Sequence, residues 1–283
     1  ESPNSTPIPL PSASFGGDAK SLTIAPYIID QIDFKENIHL LVGGRLDSID
    51  FKDKLTNRER DDSEFSPMFG LLYAPTEQLS VYGSFSRAFA QPSPRVIGQK
   101  SPEKSFQLET GIKKHFPNIN GEVTLAIYQL SRENIPIADD SGFTQQIGNQ
   151  RSRGIEIDFA AKPTSNSRAI ATYAFNNATL TNFKESIMIS LAPPAFAVFD
   201  RSGNRPAFAP AHILNFWLNH NLSERWSIGG GGNFVSSQFI AEDNLFEIES
   251  RLTLDATVAY RLRKILLRLN LRNLTNKITN HWF

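Results

Sequence analysis

From Ser21 onward, apolar and polar residues alternate along the chain with a period of two. Leu252, Leu254, Ala256, Val258 and Tyr260 share one side, and Arg251, Thr253, Asp255, Thr257 and Ala259 the other. The same division sets Ile265, Leu267, Leu269 and Leu271 against Leu266, Arg268, Asn270 and Arg272. It recurs for Phe106, Leu108 and Ile112 against Gln107, Glu109 and Lys113, and for Ile155, Ile157 and Phe159 against Gly154, Glu156 and Asp158. A repeat of about 180° per residue predicts β-strands with one oily face and one wet face.

Twelve such segments are predicted, near 21–34, 37–51, 64–74, 79–89, 103–116, 120–133, 147–161, 167–181, 210–221, 225–238, 248–261 and 264–273. Short connections (Lys35-Glu36, Pro75-Thr76-Glu77, Pro117-Asn118, Ser223-Glu224) alternate with longer polar ones at 52–63, 90–102, 134–146, 182–209 and 239–247. Strands of roughly twelve to fifteen residues exceed the five or six usual in soluble sheets. At about 3.3 Å per residue and a tilt near 45°, they reach about 30 Å, the thickness of a bilayer core. Long strands, tight turns at one end and long loops at the other predict an all-β, antiparallel transmembrane β-barrel. The competing fold is a soluble β-sandwich or jelly roll, in which the oily faces would press together.

Composition narrows the functional classes. The formal charge is zero, which removes the basic stripe expected of nucleic-acid binders. Without cysteine there is no disulfide framework, thiolate zinc site or cysteine nucleophile. The best apolar run, Ile187 to Phe199, is short and broken by Pro193 and Pro194, so no transmembrane helix is expected. Glu1 to Lys20, rich in Pro, Ser and Gly, reads as an exposed extracellular loop without a secretory signal. The expected organisation is therefore a loop segment over 1–20 and a barrel segment over 21–283, cut from something longer. Tyr27, Tyr73, Tyr82, Tyr128, Trp217, Trp226 and Tyr260 are expected near strand ends, as interfacial girdles.

Several stretches resemble, in order, the barrel of TonB-dependent siderophore receptors. Pro26-Tyr27-Ile28-Ile29-Asp30-Gln31 with Val42-Gly43-Gly44-Arg45-Leu46-Asp47 is similar to that family's Y-x-x-D-Q and G-G-R-x-D strands. Tyr82 to Phe89 resembles Y-x-S-x-S-x-x-F, and Pro102 to Lys113 resembles P-E-x … E-x-G-x-K. Tyr128 to Asn134, with Ile147-Gly148 and Arg151 to Glu156, resembles Y-x-x-x-R-x-N … G-x-x-R-S-x-G-x-E. Asn270 to Lys277 resembles N-x-x-N-L-x-N-K. The resemblance implies about twelve strands of a 22-stranded barrel in a Gram-negative outer membrane. It implies a plug domain and a TonB-contacting segment that this chain does not carry, and a last strand for which Ile278 to Phe283 is too short. It implies a non-enzymatic monomer that imports a ferric siderophore with energy delivered through TonB. No cofactor is expected; the siderophore is cargo. Cobalamin, haem or a glycan are the alternative cargoes, and an unplugged twelve-stranded channel the alternative architecture.

Candidate functional residues follow from the two faces. If the oily side meets lipid, the lumen receives Arg45, Asp47, Glu109, Lys113, Glu156, Asp158, Arg251, Asp255, Arg268 and Arg272, which are expected to form charge ladders between strands and to grip a plug. Phe196, Phe199, Arg201, Arg205 and Phe208 in the longest loop, with Phe143 and Gln145 in another, suit an anionic or catecholate chelate. Glu156 and Asp158 have the sequence spacing of a glycosidase pair but no predicted cleft. His212 and His220 share a strand face about 26 Å apart, too far to hold one metal, and bracket a lipid band instead. Gly229 to Gly232 lacks the Lys-Ser/Thr and helix of a phosphate loop, so it is expected to let the wall bend or a plug approach. Arg151 and Arg153 share parity with Ile155 and are expected just above the lipid band, within reach of lipopolysaccharide phosphates.

Overall fold

The computed structural model describes residues 18–54, 57–90, 101–138 and 144–277. Its strands are β1 (Ala19–Ile24), β2 (Tyr27–Lys35), β3 (Ile38–Asp53), β4 (Arg58–Thr76), β5 (Leu79–Ala90), β6 (Glu103–Phe116), β7 (Gly121–Ala138), β8 (Thr144–Thr164) and β9 (Ser167–Asn182). They continue with β10 (Lys184–Leu191), β11 (Pro194–Asp200), β12 (His212–Asn221), β13 (Trp226–Val235), β14 (Gln238–Phe239), β15 (Glu247–Ile248), β16 (Arg251–Leu262) and β17 (Ile265–Leu271). The only helical piece among the described residues is a 3-10 turn at Pro117–Ile119.

Thirteen strands form one antiparallel sheet, ordered β1-β3-β4-β5-β6-β7-β8-β9-β12-β13-β16-β17, with β2 also on β3. Every step joins neighbours in sequence through a hairpin or a loop, the meander of an up-and-down wall. β1 and β2 are two halves of one wall position. Pro26 has no N–H to give the ladder, so the strand breaks there, while its carbonyl still accepts from Leu46 N at 3.0 Å. Twelve positions along the wall result, the number expected from the alternation.

Directly opposed residues share a face, so register fixes which side each occupies. One oily row runs Val81, Ile112, Leu125, Ile157, Tyr173, Leu214 across β5 to β9 and β12. The next runs Gly83, Thr110, Ile127, Ile155, Phe175, His212. These side chains do not pack against a second layer: Leu108, Ile112, Ile127, Ile155, Phe216, Leu218 and Leu269 are all exposed. The described apolar residues form one small buried cluster, Ile137, Leu180 and Phe183, beyond the oily rows. The accessible surface is 19794 Å², against roughly 12,000 Å² for a compact protein of this mass. A sandwich buries its oily faces. This sheet displays its own, which excludes the sandwich and fits a wall bathed in lipid.

The short turns at 36–37, 77–78, 165–166 and 263–264 lie at one end of the sheet. At the other end several strands run past the expected limits, notably β4, which begins at Arg58 rather than near 64. The longest connection also differs from expectation. Residues 182–209 are not an irregular loop, because Lys184–Leu191 and Pro194–Asp200 pair as a separate hairpin outside the wall. Its strands are apolar on both sides, which hid the period-two signal. The aromatic girdle is smaller than expected. Tyr73, Trp226 and Tyr260 lie on the oily face near the short turns, with the Trp226 and Tyr260 rings 4.6 Å apart. Tyr27, Tyr82, Tyr128 and Trp217 share rungs with Arg45, Gly111, Glu109 and Gly231, and so lie on the polar face.

Candidate functional site

The polar face is built from alternate residues of the same strands, so the oily rows dictate its composition. Its centre is a band on β5 to β9. Tyr82 Oη donates to Glu109 Oε1 at 2.7 Å, and Gln107 Nε2 donates to Glu109 Oε2 at 3.1 Å. Lys113 Nζ lies 5.5 Å from the Tyr82 ring centre, within cation–π range. Tyr128, opposite both Glu109 and Gly154, donates to Asn176 Oδ1 at 3.4 Å. Glu156 and Asp158 follow on β8, opposite Ala126 and Thr124. Among the described residues, no cation forms an ion pair with Glu109, Glu156 or Asp158. Three carboxylates on two nearby strands therefore face the same open side uncompensated.

Among the described residues, the charge ladders expected between strands from the ten predicted lumen residues are largely missing, although Arg132 on β7 pairs with Glu103 on β6. Of the ten predicted lumen residues, only Arg45 and Asp47 pair, and they do so along one strand: Arg45 Nε donates to both Asp47 oxygens at 2.8 Å, and Asp47 is fully buried. Asp255 accepts from the Asn273 backbone N at 2.7 Å, which pins the chain beyond β17. Lys113, Arg251, Arg268 and Arg272 have no ion pair among the described residues. The reason is geometric. The pairs lie on rungs with small or neutral partners, as in Arg268 against Ala259 and Asp255 against Gly231, rather than on opposite-charge rungs.

Above the wall, the loop residues fall into separate environments. Arg201 Nε donates to Glu185 Oε2 at 3.0 Å, and its guanidinium carbon lies 5.1 Å from the Phe199 ring centre, so it braces the base of the β10–β11 hairpin. Phe196, three residues before Phe199 on β11, falls on the opposite side of that hairpin, opposed to Met188. Arg205 turns back toward the wall. Its Nη2 reaches the Asn176 carbonyl at 3.3 Å, while its Nε is buried without a hydrogen-bond partner. Phe208 is exposed and left-handed (φ 55°), with its N–H on the Phe239 carbonyl. Gln145 lies on β8 opposite Ile137, and Phe143 lies outside the described residues.

Two contacts were not anticipated. Asn244 clamps the Arg205 backbone on both sides of its Cα, accepting from Arg205 N at 2.9 Å and donating to Arg205 O at 2.8 Å. With Asn204 Nδ2 on the Glu242 carbonyl at 2.8 Å, this docks the 201–211 and 236–250 connections onto each other. Their only sequence signal is asparagine in loops, which is too common to find them. The glycine run, expected to let the wall bend or a plug approach, sits against neighbouring side chains of the sheet. Gly231 makes room for the Trp217 ring on the polar face, and Gly232 for Phe216 and Leu254 on the oily face. His212 and His220 do bracket the oily stripe of β12, bonded through Nδ1 to Tyr173 Oη at 2.9 Å and Ser167 Oγ at 2.8 Å. Glu156 and Asp158 stand on an open wall, not in a cleft.

Comparison with known proteins gives this architecture a family. Residues 1–274 match the family described as TonB dependent receptor-like, beta-barrel. The ferrichrome outer membrane transporter/phage receptor of Escherichia coli is 28% identical over 256 residues, 84% of this chain and 32% of its own length. The ferrioxamine B receptor of Salmonella typhimurium is 26% identical over 270 residues, 89% of this chain and 36% of its own. The chain thus spans about a third of these curated relatives. Among solved structures, the siderophore receptor PiuA of Acinetobacter baumannii superposes with a TM-score of 0.78 at 20% identity, covering 92% of this chain and 40% of that one. A thirteen-stranded sheet, oily on one face and polar on the other, and a family match along nearly the whole chain lead to one assignment: the chain belongs to the TonB-dependent receptor-like β-barrel family, as part of the wall of a receptor in the Gram-negative outer membrane.

Proposed function

We propose that this wall belongs to a receptor that imports a ferric siderophore, energised through TonB, and that its lumen holds a plug domain by electrostatic contact. The observation that carries the plug contact is the set of uncompensated carboxylates, Glu109, Glu156 and Asp158, on the polar face. Facing water alone, they repel one another; a domain presenting arginine or lysine to them gains charge-assisted hydrogen bonds. Cargo capture falls to the outer segments, where Arg205 and the exposed Phe208 on the docked connections, with the exposed Phe196 on the β10–β11 hairpin, offer cationic and aromatic surface for an anionic or aromatic chelate. The named relatives support a metal chelate as the cargo class, since they are a ferrichrome transporter, a ferrioxamine B receptor and, in Pseudomonas aeruginosa, a metal-pseudopaline receptor.

The test is uptake by a strain whose sole copy of the full-length protein is wild type or deleted. Radiolabelled iron presented as hydroxamate, catecholate and mixed chelates should enter only with the protein present and TonB functional. Loss of cobalamin or haem uptake instead, with every iron chelate unaffected, would reassign the cargo. TonB-independent leakage of small solutes would favour the unplugged channel.

A further inference from the structure

The outward face of β5 to β8 carries cations that neither the lumen nor the cargo site uses. On one rung, Arg87, Phe106, Ser131 and Arg151 lie side by side across four strands. On the rung below, toward the short turns, lie Phe85, Leu108, Gln129 and Arg153. Arg87 and Arg151 form no ion pair among the described residues, and Arg153 Nε is held only by the neutral Gln129 Oε1, at 2.7 Å. Directly beneath Arg153 is an open groove of about 430 Å³, floored by Leu108, Ile127, Ile155 and Phe175. A second, smaller cavity adjoins Arg87 where the β4–β5 ladder ends at Met68 and Ser86. The gap there is bridged by Lys104 Nζ on Glu64 Oε1 at 2.6 Å, and Phe65, Phe89 and Phe106 line it.

The height of these rungs is fixed by the strand. Arg153 lies eight positions from Ala161, the last outward residue before the short-turn end of β8. Eight residues at about 3.3 Å and 45° tilt rise roughly 19 Å along the barrel axis. The apolar band of such barrels is about 25 Å tall, so Arg151, one rung above at roughly 23 Å, stands at its outer boundary, and Arg153 lies just inside it with a side chain long enough to reach that boundary. They sit at the end with the long connections, which faces the cell exterior. The patch is also local. On β3 and β4, farther toward the same exterior end, the outward rung is Asp50 against Asp61.

We propose that Arg87, Arg151 and Arg153 form a docking surface for a phosphate-bearing lipid of the outer leaflet, with an acyl chain lying in the groove beneath Arg153. Guanidinium groups pair with phosphate oxygens through two parallel N–H···O bonds. A row of apolar side chains immediately below is what distinguishes a lipid from a soluble anion. Strands place Arg151 and Arg153 about 7 Å apart, and Arg87 about 14 Å across the sheet from Arg151, so the surface suits a headgroup with more than one phosphate.

The test uses the full-length protein, delipidated in mild detergent and titrated with lipopolysaccharide while bound lipid is counted by native mass spectrometry. The comparison protein is the triple variant Arg87→Gln, Arg151→Gln, Arg153→Gln. Lys114→Gln, an outward cation at the short-turn end, is the control, and heat-dependent gel mobility reports folding of each. At about fivefold per cation near a membrane surface, the triple variant should bind on the order of a hundredfold more weakly, and the control like wild type. Enzymatically dephosphorylated lipopolysaccharide should bind wild type as weakly as the intact lipid binds the triple variant. Equal binding by a folded triple variant overturns the assignment. Displacement of the lipid by millimolar inorganic phosphate would mark a site for free anions and overturn it too. Should the triple variant misfold, Arg153→Gln alone serves, with a loss of about fivefold expected and no loss fatal.

Discussion

The Tyr128 ring lies so close over Gly154 that a methyl group on residue 154 would fall 2.5 Å from the ring and 2.3 Å from the Phe175 carbonyl. The pair is directly opposed across β7 and β8. Tyr82 over Gly111 and Trp217 over Gly231 repeat the arrangement, each with a ring carbon 2.6 Å from where a Cβ would stand. An aromatic ring laid flat across a glycine covers the exposed backbone and pins the register of the hairpin.

Gly154→Ala should therefore destabilise the wall by about 1–3 kcal/mol, the usual cost of overpacking. Shortening Tyr128 should not rescue it, because the Phe175 backbone clash stays. Gly230→Ala is the contrasting case. Its nearest neighbour, the Asp255 carbonyl, would sit at an ordinary 3.6 Å, so no loss is expected. Urea titration in detergent, followed by heat-dependent gel mobility, ranks the three variants. Equal midpoints for Gly154→Ala and Gly230→Ala would show that ring and backbone both relax around the added methyl at no cost.

The uncompensated carboxylates lead to a second expectation. Replacing Glu109 and Glu156 with Gln, and Asp158 with Asn, removes mutual repulsion from the wall and should not lower the wall's own resistance to unfolding. In the full-length protein the same change should loosen the plug by about 1–3 kcal/mol, on the scale of hydrogen bonds to charged groups. Hydrogen exchange of plug amides at sub-denaturing urea separates the two effects. A plug that exchanges at the wild-type rate would remove this band from the contact.

Much of this was legible in the alternation alone, because lipid outside and water inside impose opposite chemistry on successive residues. The pattern therefore located the wall strands and separated Leu108 from Glu109 and Ile157 from Asp158. It failed where that constraint ends. Beyond the bilayer both sides of a strand meet water, so the extension of β4 to Arg58 carries charges at nearly every position and reads as loop. The β10–β11 hairpin fails the other way, with Ile187, Met188 and Ile189 consecutive and apolar. Residue type alone places Tyr82 and Tyr128 in a girdle, although their rungs with Gly111, Glu109 and Gly154 put them on the polar face. Pairing partners such as Asn244 and Arg205 lie 39 residues apart and share no periodic frame.

Asn244 holds both the backbone N–H and the carbonyl of Arg205 and also donates to the Ala241 carbonyl, so Asn244→Ala forfeits three hydrogen bonds, roughly 1.5–4 kcal/mol in all. Both connections should then open locally without unfolding the wall. Limited proteolysis should nick 201–211 and 236–250 faster, with the strand core still resistant. If cargo capture needs Arg205 in place, chelate affinity should fall alongside. Unchanged cleavage would mean that Asn204 on the Glu242 carbonyl suffices to dock the two connections.

Acid should act oppositely on two exterior hairpins. Asp200, at the end of β11, is held below its ordinary value of 3.8 by hydrogen bonds from the Ser202 side chain and backbone. Its folded form prefers the charged carboxylate, so it favours the folded hairpin base above the ordinary aspartate range, and that contribution is lost as pH falls through the depressed folded value. Asp61 on β4 is raised above 3.8 because it shares a hydrogen bond with Asp50 and feels its charge. Here the folded state keeps a proton that the unfolded segment releases, so the contribution is present below 3.8 and lost as pH rises through the raised value. Lowering pH from neutrality should thus tighten the outer end of β3–β4 while loosening the base of β10–β11. Amide exchange of the two hairpins across that range tests the signs directly. Asp61→Asn should hold β3–β4 in its acid behaviour at every pH, and if its exchange still tracks pH as in wild type, the Asp50–Asp61 pair is not the titrating element.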